Sequence, residues 1–260
     1  MRQKDNLQSG NSLMSEWLTA PEDLSLNSDE VHLWRASLNM TDAHVKALQN
    51  LLSDDELKRA DRMHFIKNRD HFIICRGLLR TLLGGYLKRE PFELSFYYGR
   101  YGKPELDYKS DGKALRFNVS YSHEVALLAF TYGQRMGVDI EYVRPDLLVE
   151  DMAEHSFSPR EIAILKTYPE YMRQSVFFKC WTLKEAYLKA LGTGLARDLK
   201  QCEVLTDKGD IFKPHKRFME PREGISVSLM DLDVGSGYAA ALVVEGHDWQ
   251  LKCWQWANLP

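Results

Sequence analysis

One recurrence constrains the fold of this chain more than any other feature. Arg76-Gly-Leu-Leu-Arg-Thr-Leu-Leu-Gly84 can be laid over Lys184-Glu-Ala-Tyr-Leu-Lys-Ala-Leu-Gly192, and each closes a long stretch with helical apolar spacing. A strand pattern follows each of them, Ala126-Leu-Leu-Ala-Phe130 and Ala239-Ala-Ala-Leu-Val243. The order helix then strands therefore occurs twice, which predicts two related α+β halves joined near Gly133–Gly137 with a ligand between them. We place the boundary at 135/136, giving subdomains 1–135 and 136–260, with residues 1–12 too polar to order. A chain of 260 residues with 44% hydrophobic and 27% charged residues suits that plan.

Finer signals mark the elements. Val31–Leu38 reads as a strand and Thr41–Leu52 as a helix. Ser53-Asp-Asp-Glu56 and Ser158-Pro-Arg-Glu161 have the spacing of capping boxes, so each opens a helix. Phe92–Tyr98, Phe117–Tyr121, Val125–Tyr132 and Gly137–Val143 read as strands, the last two joined around Gly133-Gln-Arg135 as a hairpin. Later strands are expected at Cys202–Leu205, Ile225–Leu229, Tyr238–Val244 and Leu251–Trp256, with Trp249, Trp254 and Trp256 as packing residues.

Gly137-Val-Asp-Ile-Glu-Tyr-Val-Arg-Pro145 carries the chemistry. Strand alternation turns Val138, Ile140 and Tyr142 one way and Asp139 and Glu141 the other. Same-face neighbours on a strand lie about 6–7 Å apart, near enough for two carboxylates to share one hard divalent cation, Mg2+ above all. Taken alone, two solvated acids on an outer face would read the same. In Trp181-Thr-Leu-Lys-Glu-Ala-Tyr-Leu-Lys189, Glu185 shares a helix face with Trp181 and Leu188, where a carboxylate needs a partner. An ordinary helical pair with Lys189 would satisfy it. Alternatively, Glu185 joins Asp139 and Glu141 at the ion with Lys184 and Lys189 alongside, which suits Mg2+ and a pyrophosphate.

These residues resemble a known signature. Gly137-Val-Asp-Ile-Glu141, followed about forty residues later by the Trp181–Lys189 segment, is similar to the 4′-phosphopantetheinyl transferases of the two-lobed, surfactin-synthetase-activating type. Phe117-Asn-Val-Ser-Tyr-Ser122 and Tyr101-Gly-Lys-Pro104 resemble two further motifs of that family, in the right order. The resemblance implies an α+β fold of two similar subdomains related by a pseudo-twofold axis. Each would carry a small antiparallel sheet packed on a long helix, with coenzyme A in the cleft between them.

It also implies a Mg2+-dependent enzyme that transfers the 4′-phosphopantetheine arm from coenzyme A to a serine of an acyl, aryl or peptidyl carrier protein, releasing 3′,5′-ADP. Such carriers serve fatty acid, polyketide and nonribosomal peptide synthesis. Carried over by residue, Asp139, Glu141 and Glu185 hold the metal, Lys184 and Lys189 flank it, Lys189 touches the pyrophosphate, and Glu185 takes the serine proton. Lys103 lies on the adenine side, Lys67 and Arg76 at the 3′-phosphate, and Ser120 beside the phosphates. Tyr121 stands where the family usually has histidine, and alternation puts His123 on the same strand face. Glu161 matches an acidic family position that its capping role already explains.

Other classes are less well served by the composition. A net charge of −3 disfavours a protein that coats nucleic acid. Cys75, Cys180, Cys202 and Cys253 lack paired spacing, as expected of reduced thiols in a cytoplasmic protein without a membrane anchor. A cleft within one chain points to a monomer. A metal-dependent nuclease or phosphohydrolase and a non-catalytic coenzyme A- or carrier-binding relative remain the rival readings.

Overall fold

The computed structural model describes residues 16–99, 102–106, 109–110, 113–144, 146–192, 198–205, 216–220 and 224–257. Residues 1–12 and Tyr101, both singled out from sequence, lie outside the described residues. The first half runs β1 (Leu18–Thr19), β2 (Glu30–Ser37), α1 (Asp42–Gln49), α2 (Asp54–Asp61), α3 (Ile66–Leu87), β3 (Phe96–Tyr98), β4 (Pro104–Leu106), β5 (Lys109–Ser110), β6 (Lys113–Ser122) and β7 (Val125–Tyr132). The second runs β8 (Met136–Tyr142), α4 (Val149–Ser156), α5 (Pro159–Thr167), α6 (Glu170–Leu191), β9 (Lys216–Glu220), β10 (Ile225–Asp231), β11 (Tyr238–Glu245) and β12 (Gln250–Gln255). Each half thus has one 22-residue helix and one principal sheet.

Both capping boxes form. Glu56 accepts the Ser53 N–H at 3.0 Å and Glu161 accepts the Ser158 N–H at 3.0 Å. Gly192 ends α6 in the left-handed region at φ 70°, as a C-terminal cap requires.

Strand alternation builds the layers. On β7, Ala126, Leu128 and Phe130 face a core with α3, while Leu127 and Ala129 face a second core. That second core also takes Val138 and Ile140 from β8 and Ala240 and Leu242 from β11. The opposite face of β11, through Ala239, Ala241 and Val243, packs on α6. The order of layers is therefore α3, first sheet, second sheet, α6. Among the described residues no helix is long and apolar enough to cross a membrane.

Several expectations change here. The first sheet, in the order β1-β12-β2-β7-β6-β5, is mixed: β12 runs parallel to both β1 and β2. The last strand of the chain thus lies in the sheet of the first half, and Trp254 and Trp256 pack on Trp34 with ring centroids 6.2 and 6.1 Å apart. The second sheet, β8-β11-β10-β9, is antiparallel, and β9 had no counterpart among the expected strands. β7 and β8 are not a hairpin. The turn after Tyr132 carries the chain from one sheet to the facing one, and β8 pairs with β11 instead. Pro91–Glu93 is a short 3-10 turn rather than strand, and Cys202–Leu205 follows a similar turn without forming a strand of either sheet.

Candidate active site

β6 and β8 lie against each other where the halves meet, joined by side chains rather than by a backbone ladder. Asn118, Ser120 and Ser122 alternate along one face of β6. Their oxygens accept the N–H groups of Val138 at 2.8 Å, Ile140 at 3.4 Å and Tyr142 at 3.0 Å. The two serine hydroxyls in turn donate to the acids of β8, Ser120 to Asp139 Oδ1 and Ser122 to Glu141 Oε2, each at 2.9 Å. The strand pair is satisfied and the carboxylates are aimed by the same atoms.

α6 is brought onto this seam by a missing side chain. A Cβ on Gly137 would stand 2.0 Å from the Ala186 carbonyl oxygen and 2.5 Å from the Ala190 nitrogen, so only glycine lets the helix backbone approach so closely. That approach delivers Lys189, whose Nζ donates to Asp139 Oδ1 at 2.6 Å, Ser120 Oγ at 2.9 Å and the Val138 carbonyl at 3.3 Å. Glu185, one turn earlier, belongs to the same electrostatic cluster. Its carboxyl is raised by burial and then by the charge of Asp139, opposed by Lys189 and reinforced by Glu141. Glu141 is raised by burial and by Asp139, with the Ser122 hydroxyl and Lys189 pulling the other way. Asp139, Glu141 and Glu185 are therefore electrostatically coupled, and the cation hydrogen-bonded to Asp139 is Lys189.

Asp139 provides the test of whether a cation fits. It is 3% exposed, and its Oδ2 is buried with no hydrogen-bond partner. A buried carboxylate oxygen without a donor is costly, and an oxygen-seeking Mg2+ would satisfy it. Among the described residues no three acid, histidine or cysteine side chains are grouped as a metal-holding set. The Lys189 ammonium supplies the positive charge beside Asp139. By chemical type, the Asp139 and Glu141 carboxylates with their serine hydroxyl neighbours suit a hard cation.

Two of the expected lysines are engaged elsewhere. Lys184 does not flank the acids: it is fully buried on the other side of α6, donating to Glu161 Oε2 at 2.6 Å and to the Leu199 carbonyl at 3.0 Å. Its ammonium also lies 4.8 Å from the centre of the Phe157 ring. Lys103 spans the halves, donating to the carbonyls of Lys189 at 2.6 Å and Met136 at 3.2 Å. Burial first, then the neighbouring Arg116 and Lys189 cations, bring its ammonium down to about 8.

The outward face of β6 forms one wall of a cavity of about 200 Å3 in the first half. Arg59, Phe72, Arg76, Pro104, Phe117 and Tyr121 line it. Arg76 and Arg80 share one buried carboxylate: Glu56 stands 3.1 Å from Arg76 Nε and 2.7 Å from Arg80 Nε. Arg59, Arg76 and Arg80 against the Glu56 and Asp55 carboxylates leave net positive charge at this wall. Arg76 also donates to the Tyr98 hydroxyl at 3.3 Å and lies over Phe72 and Phe96. Lys67 does not join Arg76. It is exposed and lines a separate crevice of about 300 Å3 with Asp70, His71 and Glu124. Arg59 is the cation that shares the Arg76 cavity, its guanidinium 5.4 Å from the Phe72 ring centre.

Tyr121 is part-exposed in that cavity, edge-on to His71, with its hydroxyl raised by burial. His123 does not stand on the face of Tyr121. β6 ends at Ser122, and His123 turns the chain at φ 52° into a different cavity of about 370 Å3 beside Glu141, Arg144 and Trp181.

Four likenesses, to one family and three proteins, accompany this geometry. A model of the 4′-phosphopantetheinyl transferase superfamily matches residues 135–243. The 4′-phosphopantetheinyl transferase HetI of Nostoc sp. (strain PCC 7120) is 40% identical over 244 residues, covering 94% of this chain and 100% of that protein. The putative 4′-phosphopantetheinyl transferase slr0495 of Synechocystis sp. is 32% identical over 64% of this chain and 71% of its own. The 4′-phosphopantetheinyl transferase Sfp of Bacillus subtilis is 24% identical over 60% of this chain and 66% of its own.

Proposed function

The chain belongs to the 4′-phosphopantetheinyl transferase superfamily, and on that premise we propose that the seam between β6 and β8 is where it moves the phosphopantetheine arm of coenzyme A onto a serine of an apo carrier protein. One observation carries the placement: the buried, unpartnered Oδ2 of Asp139 beside Glu141 and Glu185. These three acids would hold Mg2+, which when bound polarises the pyrophosphate and offsets its charge.

The chain's own groups divide the remaining work. Lys189, already held by Asp139 and Ser120, stands ready to donate to a pyrophosphate oxygen and so stabilise the charge that builds on the departing 3′,5′-ADP. Glu185, whose carboxyl burial and neighbouring acids make more basic than usual, receives the proton of the incoming serine hydroxyl. The Arg59–Arg76 cavity, with its excess positive charge, takes the nucleotide 3′-phosphate, and the Tyr121 hydroxyl donates a hydrogen bond there without adding charge. Lys103 holds the Gly102–Pro104 turn across the site near the adenine side. One chain supplies every one of these groups, which supports a monomer as the working unit.

The purified protein, incubated with coenzyme A, Mg2+ and an apo carrier, is expected to yield a carrier heavier by one phosphopantetheine in a mass spectrum. Asp139→Ala and Glu185→Ala should lose this product while unfolding cooperatively like the parent. Near-normal turnover in either variant would remove the site, and no mass gain with acyl, aryl and peptidyl carriers would remove the reaction.

A further inference from the structure

The seam has an exposed end. Its three rungs run from Asn118–Val138, which is deeply buried, to Ser122–Tyr142, where Tyr142 is only half-buried. Side-chain rungs open locally more readily than a backbone ladder inside a sheet, and opening starts where water reaches. The last rung is also the one that carries Glu141, through the Ser122 hydroxyl.

Immediately beyond that rung stands His123, in a left-handed conformation that glycine adopts freely and a residue with a Cβ adopts at a cost. The turn itself does not call for an imidazole. Its other residue, Glu124, already ties it down: the Glu124 carbonyl accepts the Leu38 N–H at 2.8 Å, and its own N–H reaches the Tyr238 hydroxyl at 3.4 Å. What the histidine adds is a ring contact across the seam. Its centroid is 4.5 Å from that of Tyr142 at 61°, and Tyr142 lies 5.4 Å from Tyr238 at 66°. Three rings thus run from the β6–β7 turn of the first half over β8 to β11 of the second. Among the described residues the His123 nitrogens make no bond to Glu141; Nδ1 faces Glu124 Oε1 at 3.8 Å.

We propose that His123 is a positioning residue: by packing its ring on Tyr142 it closes the open end of the seam and so holds the Glu141 carboxylate on Ser122, where the cation is to bind. This rests on Glu141 being a metal ligand.

His123→Gly and His123→Phe test it by two readouts, hydrogen exchange at single amides and Mn2+ binding with coenzyme A present. In His123→Gly the thermal midpoint should stay level or rise, because the backbone strain is relieved. The Tyr142 amide should exchange faster while Val138 keeps its protection. Mn2+ affinity should fall about two- to tenfold, the worth of an aromatic contact. His123→Phe keeps the ring and should restore both. Parent-like Tyr142 exchange and Mn2+ affinity in the glycine variant would overturn the proposal. So would a phenylalanine variant as weak as the glycine one, which would mean that the imidazole acts chemically. A lowered midpoint in the glycine variant would also overturn it, since the ring would then serve the whole fold. A parent protein that takes up no Mn2+ would strike the metal-site reading instead, while the Tyr142 amide still decides whether the ring closes the seam.

Discussion

Replacing Lys184 by methionine separates two roles that a lysine next to Glu185 could have. Lys184 is 0% exposed and its ammonium is matched to Glu161, also 0% exposed, at 2.6 Å. Methionine keeps the length of the side chain and removes its charge, leaving the Glu161 carboxylate buried without its cation. Breaking a buried pair from one side costs about 3–5 kcal/mol. Three backbone donors remain on Glu161, from Ser158 at 3.0 Å, Val204 at 2.7 Å and Leu205 at 3.3 Å, which favours the low end. A chain of this size loses about 2–4 °C per kcal/mol, so the midpoint should fall by about 6–12 °C. Thermal or urea unfolding measures that loss, and steady-state kinetics well below the midpoint measure the rest. KM for coenzyme A should be unchanged and kcat should stay within a few-fold, because the ammonium never faces the cleft. The double variant Lys184→Met/Glu161→Gln should be more stable than the sum of the single ones, although the introduced amide NH2 would oppose the Ser158 N–H and limit the recovery. A tenfold rise in KM with an unshifted midpoint would refute this, and would return Lys184 to the coenzyme site.

Three further outcomes follow from particular contacts. Gly137→Ala drives a Cβ into the α6 backbone at Ala186 and Ala190, so stability should drop by about 1–3 kcal/mol or more and carrier modification should slow as Lys189 retreats from Asp139; unfolding curves and transfer rates check both. Arg76→Met leaves Glu56 paired with Arg80 but strips a cation from the 200 Å3 cavity, so KM for coenzyme A should rise roughly tenfold, with no such rise for 3′-dephospho-coenzyme A. Burial alone would raise the Glu30 carboxyl, but hydrogen bonds from Lys252, from Asn27 and from His32 outweigh it and hold the group at about 2. A depressed carboxylate stabilises the fold above its unfolded value of 4.5 and loses that contribution as pH falls toward 2. Acid titration should therefore lower stability over that window, by about 1–2 kcal/mol once solvent screening at the part-exposed Lys252 is counted, and Glu30→Gln should flatten it.

Much of this architecture could be read from local pattern. Alternation on Val138–Tyr142 correctly set Val138 and Ile140 on one face and Asp139 and Glu141 on the other, both faces being covered at Asp139, and the Ser–Glu spacing gave both helix starts. What pattern could not supply was the identity of distant partners. The turn at Gly133–Arg135 looks alike whether the next strand folds back on β7 or crosses to the facing sheet; the choice was made by β11, about a hundred residues later. Likewise nothing within Gln250–Gln255 says that it pairs with β2. Lys184 and Lys67 lie away from the seam and the Arg76 cavity for a geometric reason. Lys184 and Glu185 are neighbours in sequence and so lie about 100° apart around α6, whereas Glu185 and Lys189 share a face. Lys67 and Arg76 are nine residues apart on α3, which sets them about 180° apart around the axis, and only Arg76 faces the cavity of Arg59. The helical period contains both facts, whereas charge alone does not distinguish the two faces.

On the proposed placement, the seam also ties catalysis to the joining of the halves. In an ordinary sheet the carbonyls of a neighbouring strand would accept the N–H groups of Ile140 and Tyr142, leaving the side chains free to vary. Here Ser120 and Ser122 accept those N–H groups, and the same hydroxyls donate to Asp139 and Glu141. A hydroxyl is among the smallest side-chain groups that can accept from a backbone and donate to a carboxylate at once. Valine or alanine at either position would lose both bonds, and aspartate would add a further negative charge near Glu141 and Glu185, whose carboxyls are already raised by burial and then by the charge of Asp139. The serines of β6 are therefore constrained from two directions, by the folding of β8 and by the placement of its acids. A cation drawn to Asp139 and Glu141 would act on the same atoms that hold the two halves in register.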